Sequence, residues 1–399
     1  MRLGGADPDA QLTYCTNIHA GETWADISRS LEEHVPIIKA AVCPSEQMAI
    51  GLRLSAVAAR AVLAPEALAA FKQQLARLGA YVFTINAFPY GPFHGTRVKE
   101  DVYLPDWRSD ERVAFTADAA RLLAAILPDG MMGSISTVPG CFKANVAAPD
   151  AVALMIERLV AAVADLVTVE RQTGRLICLA LEPEPCCFLE TTDEAIAFFE
   201  QLLRPATLAR LSARIDVGRS EAEWMMRRHL GLCYDVCHGS VEYETPLESL
   251  AKLAAAGIAV PKIQLSAALR VPRMQPELVD VLRRFDDGVY LHQTIVRQDD
   301  RLVRFEDLPG ALAAFARGEA NGEWRIHCHV PLFHADLGPI ASTRDDLITL
   351  LGACAKRKLA PHLEVETYTW DVLPRELRGG SKGEDIAREL AFVLAQVRT

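Results

Sequence analysis

Short apolar runs alternate with long amphipathic segments along almost the whole chain. The runs have the length of strands buried on both faces, and the segments have the apolar spacing of helices that cover a sheet. Eight strands that are each followed by a helix predict a closed parallel (β/α)8 barrel; an open sheet of six or seven strands is the alternative. The predicted strands are Leu12–His19, Ala49–Ser55, Ala80–Asn86, Met131–Thr137, Leu176–Glu182, Gly231–Cys237, Pro261–Ser266 and His362–Thr367.

The last two predicted barrel strands are separated by about a hundred residues. This interval contains three further strand-like runs, Val289–Val296, Arg301–Phe305 and Trp324–Val330. Since no Gly/Ser-rich linker marks a boundary, we expect one domain over residues 1–399. Residues 271–340 are expected to form a β-rich insertion over the carboxyl ends of the barrel strands, which is the catalytic face of such barrels.

Charge and hydropathy limit the partners that suit this chain. It has 42 Lys and Arg against 52 Asp and Glu, a net charge of −10, and no basic stripe of the kind that nucleic acids require. The apolar runs are too short for membrane insertion, and the N-terminus is polar. We therefore expect a cytoplasmic protein whose partner is a small polar metabolite, while the sequence leaves the oligomeric state open.

Strand alternation places several polar side chains inside the predicted barrel. Because alternate residues face the lumen, the bulky residues of each run face the helices, and Glu182, Asp235, Gln264 and Glu366 face inward at the ends of four strands. Such strand ends carry the active sites of these barrels.

Three carboxylates in one low-dielectric cavity need compensation if they are to stay ionised. A divalent cation (Mn²⁺, Mg²⁺, Zn²⁺ or Fe²⁺) is the simplest compensator for Glu182, Asp235 and Glu366. The alternative is an internal network of ion pairs. For the inward Glu364 that alternative is favoured, with Arg53 as its expected partner.

Histidines and an asparagine supply further candidate ligands. His238 follows Asp235 in a D-x-x-H spacing, and His327 and His329 alternate within one run, so that both point to one face. They are candidates for binding a metal or a substrate, with packing as the alternative. His94, in the aromatic and glycine-rich loop after the third strand, is a candidate for lining a small polar ligand, with a rigid surface turn as the alternative. Asn17 and His19 on the first strand are further substrate-binding candidates, with a satisfied polar pair in the core as the alternative.

Four motifs resemble the xylose isomerase-like TIM barrel superfamily. They are Glu182 within LALEPEP, Asp235 and His238 within YDVCH, Gln264, and Glu366 within LEVETYTW. Longer strings are similar to the EboE family, which carries the label of a metabolite traffic protein. These are YCTNIHAGETW, TINAFPYGPFHG, YDVCH, HCHVP and ETYTWDVLP, and the resemblance extends from Leu12 to about Leu390.

The resemblance implies a site built from four strand-end residues. In the epimerase-like members a Glu, an Asp, a His and a Glu hold one divalent metal, and the two glutamates exchange a proton with the substrate. Glu182, Asp235 and Glu366 match three of these ligands, and His238 matches a substrate-contacting histidine. Gln264 stands where the family has a histidine. We expect His329 or His327 to take the place of that missing ligand.

The leading hypothesis is a divalent-metal-dependent isomerase or epimerase that acts on a small polyhydroxylated, sugar-like or cyclitol-like metabolite. Glu182 and Glu366 would transfer protons through an enediolate, while His238 and Arg270 position hydroxyl groups. One alternative is an iron-dependent oxidative TIM-barrel enzyme. The other is a non-catalytic cytosolic protein that binds and hands on a metabolite.

Overall fold

Eight parallel strands form a closed barrel in this computed structural model, which describes residues 1–95, 97–148, 150–371, 373 and 380–398. Strands β1–β7 and β14 build the barrel in the order β1-β14-β7-β6-β5-β4-β3-β2, and a parallel bridge between Cys15 and Gly51 joins its two ends. The strands of the described chain are β1 (Gln11–Tyr14), β2 (Met48–Arg53), β3 (Ala80–Asn86), β4 (Gly133–Thr137), β5 (Ile177–Leu181), β6 (Leu230–Asp235), β7 (Lys262–Leu265), β8 (Leu269–Val271), β9 (Thr294–Gln298), β10 (Arg301–Phe305), β11 (Glu323–Ile326), β12 (Asp336–Leu337), β13 (Ile340–Ser342) and β14 (His362–Val365).

Helices surround the barrel. None in the described ranges has the length and apolar character needed to cross a membrane. They are α1 (Trp24–Val42), α2 (Ala56–Val62), α3 (Pro65–Leu78), α4 (Asp110–Ile126), α5 (Ala151–Thr173), α6 (Thr192–Leu202), α7 (Pro205–Ile215), α8 (Arg219–His229), α9 (Val236–Val241), α10 (Pro246–Ala255), α11 (Val279–Arg283), α12 (Leu308–Ala316), α13 (Arg344–Cys354) and α14 (Lys382–Val397).

The predicted barrel strands are all found, so the predicted fold class is confirmed. Their outward residues form the core between strands and helices: Ile177, Leu179 and Leu181 of β5 are fully buried. The predicted ends are less accurate. The first strand ends at Tyr14 rather than His19, because Thr16–Ile18 form a turn of 3₁₀ helix.

The interval between β7 and β14 folds into a six-stranded sheet, with the strand order β10-β9-β11-β8-β13-β12. Its pairings are antiparallel. Strand β8 begins four residues after β7 ends, so the sheet starts at the carboxyl end of the barrel. Backbone bonds from Val330 to Ala267 (2.9 Å) and from Thr343 to Ala268 (2.9 Å) fasten it there. The segment after β11, which contains His327 and His329, is not a strand but leads back over the barrel mouth.

Candidate functional site

A cavity lies between the carboxyl ends of the barrel strands and the inserted sheet. It encloses about 530 Å³, a volume that includes the open space at its mouth. Its floor is polar and its wall is aromatic. The polar lining comprises Asn17, Asn86, Lys99, Glu182, Glu184, His238, His327 and Glu366, and the aromatic lining comprises Phe88, Phe93, Tyr103, Tyr290 and Tyr368.

Three buried carboxylates meet on this floor and are called the carboxylate cluster below: Glu182, Asp235 and Glu366. One ligand atom from each lies within 4.8 Å of the others. They converge because Glu182 follows β5, Asp235 ends β6 and Glu366 follows β14. Burial, and then the nearby Asp235 carboxylate, raise the pKa of Glu182 well above its ordinary value. Burial and Glu182 do the same to the pKa of Glu366. The cluster therefore resists holding three negative charges by itself.

Hydrogen bonds hold one oxygen of two of these carboxylates. Glu366 Oε1 accepts from the amide nitrogens of Asn17 (2.7 Å) and Asn86 (3.0 Å). Asp235 Oδ1 accepts from the Ser266 hydroxyl (2.7 Å) and from the backbone N–H of His238 (3.0 Å), at the start of α9. These bonds fix the carboxylates in place and leave their second oxygens for another partner.

Several buried polar atoms of the site have no hydrogen-bond partner within the described part of the chain, and their chemistry shows whether a cation fits there. Glu182 Oε2, Asp235 Oδ2, His329 Nε2 and both polar atoms of the Gln264 side chain are buried, and none has a hydrogen-bond partner in the described residues. Buried polar groups are nearly always paired, because leaving one unpaired costs about 1–3 kcal/mol. Carboxylate, amide and imidazole are all ligands for divalent cations, so the residues present fit a metal ion.

His329 comes from the inserted segment and lies beside Asp235 and Glu366. Its Nδ1 lies 2.7 Å from the Glu366 backbone carbonyl, which can only accept, so Nδ1 carries the proton. Nε2 is then the unprotonated nitrogen, an arrangement typical of metal-binding histidines. His329 forms a group with Asp235 and His238 within 4.8 Å, whereas Gln264 lies beside Asp235 in the strand register.

The expected ion pair between Arg53 and Glu364 is wrong. Glu364 instead lies 2.7 Å from Lys262 Nζ, although the two groups miss hydrogen-bond alignment, and both side chains are fully buried. Glu364 Oε2 fills the space beside Gly51, where an added Cβ would lie only 1.8 Å away. Arg53 lies two residues further along β2, at its end, and bonds to Glu22 (2.9 Å) and to the carbonyl of Gly91 (2.7 Å). The Lys262–Glu364 contact is called the lower ion pair below.

A second group of titratable side chains lies beside the carboxylate cluster. Glu184, His238 and His327 bring one ligand atom each to within 4.8 Å of the others, and are called the histidine–glutamate cluster below. Burial raises the pKa of Glu184 to about 8. Burial lowers the pKa of His238 and of His327 well below the ordinary value, with a further contribution from a neighbouring imidazole in each case. Both imidazoles are therefore neutral near pH 7.

Two predicted substrate residues do not reach the cavity. Arg270 is part of β8, and its guanidinium contacts Glu323 (3.0 Å) on a partly exposed face of the inserted sheet. The prediction that Arg270 positions hydroxyl groups is therefore corrected. His19 is buried outside the cavity, bonded to the Tyr14 hydroxyl (3.2 Å) and stacked on His34 (4.1 Å between centroids).

His94 lies near the cavity without being part of its lining in the described chain. Its ring is 5.0 Å from that of Phe93, which does line the cavity.

Sequence reasoning missed Asn86, Glu184 and Lys262. Asn86 ends the predicted third strand, and Glu184 is the second glutamate of the LEPEP run. Lys262 has the same strand parity as Gln264. Their positions in the predicted strands could have pointed to them, but their side-chain partners come from distant strands.

Comparisons with known proteins return structures rather than families. No protein-family model matches the chain, and the search of curated proteins finds no match. One similar structure is an L-ribulose 3-epimerase, 13% identical, which covers 98% of this chain and 95% of that chain with a TM-score of 0.46. Another is a xylose isomerase-like TIM barrel protein from Mycobacterium smegmatis in complex with magnesium, 12% identical, covering 97% and 96% with a TM-score of 0.46.

A third similar structure is the probable 3-DHS dehydratase AsbF from Bacillus anthracis. It is 14% identical, with 96% of this chain and 98% of that chain covered and a TM-score of 0.44. Identities and TM-scores at this level do not transfer an activity to this chain.

Proposed function

We propose that the protein is a divalent-metal-dependent isomerase or epimerase for a small polyhydroxylated carbonyl compound of the sugar or cyclitol type. The observation that carries this proposal is the carboxylate cluster, whose ligand atoms lie within 4.8 Å of one another and of which Glu182 and Glu366 line the cavity. Glu182 Oε2 and Asp235 Oδ2 have no partner there among the described residues.

Five side chains would hold the metal: Glu182, Asp235, Gln264, His329 and Glu366. A bound divalent cation would polarise the substrate carbonyl and the neighbouring hydroxyl, which acidifies the carbon between them. The mixed oxygen and nitrogen donor set suits Mn²⁺, Zn²⁺ or Fe²⁺, and Mg²⁺ suits its oxygen members.

In this proposal Glu182 and Glu366 would transfer protons from different sides of the substrate. Glu182 follows β5 and Glu366 follows β14, and strands β6 and β7 separate them in the barrel. One ionised glutamate takes the proton from the carbon next to the carbonyl, and the electron pair of that C–H bond forms the enediolate. The other glutamate, protonated, returns a proton to the opposite face or to the neighbouring carbon. A carboxyl group that alternates between its ionised and protonated forms can serve first as base and then as acid.

Neutral groups around the cavity would orient the substrate. The amide of Asn17 fixes Glu366 (2.7 Å), and the imidazoles of His238 and His327 also line the cavity. The rings of Phe93, Tyr290 and Tyr368 also line the cavity, lie 5.1–5.4 Å apart and form an aromatic wall. Such a wall excludes water and packs against the C–H face of a sugar ring.

The proposal is tested by hydrogen exchange at carbon. The Mn²⁺-loaded protein is incubated in D₂O with a panel of ketoses and keto-cyclitols, and NMR follows deuterium incorporation next to the carbonyl. We expect exchange with at least one compound, and a loss of about 10²- to 10⁴-fold in Glu182→Gln and in Glu366→Gln. The control Glu170→Gln, which changes a residue paired with Arg228 away from the cavity, should retain full exchange.

Two other outcomes would favour the alternatives. Binding of a compound without exchange would favour a metabolite-binding protein. Oxygen uptake that depends on Fe²⁺ would favour an oxidative enzyme. Equal exchange in wild type and both glutamine variants would contradict the proposed proton-transfer roles.

A further inference from the structure

The histidine–glutamate cluster has its own donor set next to the carboxylate cluster. We propose that Glu184, His238 and His327 form a second divalent-cation site, suited to Zn²⁺ or Co²⁺. One ligand atom from each lies within 4.8 Å of the other two, and all three side chains line the cavity. Two histidines and one glutamate are a known ligand set of catalytic zinc, and they leave a coordination position open.

The hydrogen bonds of His238 leave its outer nitrogen free to bind a metal. Its Nδ1 lies 2.9 Å from the carbonyl oxygen of Pro183. A carbonyl can only accept, so Nδ1 carries the proton and Nε2 carries a lone pair. Nε2 lies 4.0 Å from Asp235 Oδ1, which is too far for a hydrogen bond.

The tautomer of His327 is fixed through Gln293. The Gln293 amide nitrogen lies 3.2 Å from the Pro185 carbonyl and 2.9 Å from the Tyr103 hydroxyl, which settles which end of the amide is nitrogen. The amide oxygen therefore faces His327 Nδ1 at 2.7 Å and accepts its proton. His327 Nε2 is then unprotonated, with only a long contact to the Tyr368 hydroxyl at 3.4 Å.

Glu184 is held in place by the same network. Its Oε1 accepts from the Tyr103 hydroxyl (2.7 Å) and from the Gln293 amide nitrogen (3.2 Å). Groups that orient a carboxylate and an imidazole from behind are typical of metal sites, where they fix the ligands for the ion. Tyr103 and Gln293 would thus hold the side chains of Glu184 and His327 in the orientation that a metal ion needs.

The two imidazoles meet without satisfying each other. The rings of His238 and His327 are 4.7 Å apart and nearly perpendicular. In each ring the Nδ1 proton already goes to an oxygen acceptor, so neither ring donates it to the other. A cation beside Glu184 satisfies both lone pairs and the carboxylate at once. The second site would bind its ion whether or not the reaction proposed above takes place.

Metal content tests the second site. The protein is stripped with a chelator, dialysed against excess Zn²⁺ or Co²⁺, passed over a desalting column and analysed for metal per chain. We expect two ions in wild type and one in His327→Ala and in Glu184→Gln. The Glu182→Gln/Glu366→Gln double variant should keep one ion, at the second site. The control His34→Ala removes a half-buried histidine outside the cavity and should keep two.

Each result decides for or against the proposal. A single ion in wild type that both His327→Ala and Glu184→Gln retain would overturn it, and so would two ions retained in these variants. Loss of all metal in both variants would also overturn it, because one shared site would then explain the binding. A single ion that is lost in His327→Ala but kept in the double variant would support the second site and contradict metal binding by the carboxylate cluster. Glu184→Gln preserves the side-chain shape and serves if His327→Ala fails to fold.

Discussion

Buried carboxylates lie at two depths in the barrel lumen. Their negative charges are compensated differently at the two depths. Glu364 and Glu366 are two residues apart at the end of β14 and face the same lumen. The deeper one belongs to the lower ion pair, where Lys262 supplies a positive charge at 2.7 Å. In the described part of the chain no Lys or Arg forms an ion pair with Glu182, Asp235 or Glu366 of the carboxylate cluster. The deeper carboxylate is thus paired within the fold, whereas the carboxylate cluster at the cavity has no Lys or Arg ion-pair partner among the described residues.

The largest expected effect comes from breaking the lower ion pair. Lys262→Met leaves the Glu364 carboxylate buried without a cation, and we expect it to lower the free energy of unfolding by about 3–5 kcal/mol. The Lys262→Met/Glu364→Leu double variant should recover most of this loss, because it removes both charges. Urea denaturation of the metal-free proteins measures both values.

A surface pair provides the matched control for this experiment. Arg77→Met removes the partner of Glu32 at 2.8 Å, and both of those side chains are largely exposed, so the free energy of unfolding should barely change. An equally small effect of Lys262→Met would show that the lower ion pair does not stabilise the fold.

An intermediate effect is expected from His362, which also lies deep in the barrel. Burial, and then the charge of Lys262, lower the pKa of His362 to about 3. The unfolded chain therefore binds a proton below about pH 6.5 that the folded chain binds only near pH 3, so stability falls as the pH is lowered through this window. Because of this residue, the free energy of unfolding of the wild type should fall by about 2 kcal/mol between pH 7 and pH 5.

His362→Gln removes that contribution. Between pH 7 and pH 5 the free energy of unfolding of the variant should fall by about 2 kcal/mol less than that of the wild type. Urea denaturation at both pH values measures this difference. Its nearest polar partner, the Ser134 hydroxyl at 2.8 Å, can still bond to the amide. Identical losses in the two proteins would mean that His362 is protonated normally in the fold.

The smallest effect is expected from the carboxylate cluster. In metal-free protein, Glu182→Gln replaces one of three crowded carboxylates by a neutral side chain of the same shape. We expect the relieved repulsion to stabilise the metal-free fold by about 1 kcal/mol, seen as a higher Tm by calorimetry. A lower Tm without metal would indicate that the charge of Glu182 stabilises the fold.

Local alternation explains why the sequence predicts the barrel and the carboxylate cluster. The parity of a strand follows from its own residues, so Glu182, Asp235 and Glu366 could be placed inside without knowing their neighbours. Their position at strand ends then brings them together in any closed parallel barrel.

Partners across strands could not be predicted in the same way. The choice of Lys262 over Arg53 as the partner of Glu364 depends on strand register, which leaves space beside Gly51 for the carboxylate. Arg270 follows the seventh strand in the sequence, but it lies in β8, whose antiparallel pairing turns it toward Glu323. These contacts are set by the packing of distant segments.

Binding of Mn²⁺ to the chelator-stripped protein tests the central claim most directly. Titration calorimetry should detect binding to wild type, and the Glu182→Gln/Glu366→Gln double variant should bind at least about tenfold more weakly, a difference of about 1.4 kcal/mol or more. The loss follows because two anionic ligands have become neutral. Equal affinity in the two proteins, or a wild type that binds no Mn²⁺, would contradict the account that the carboxylate cluster is completed by a cation.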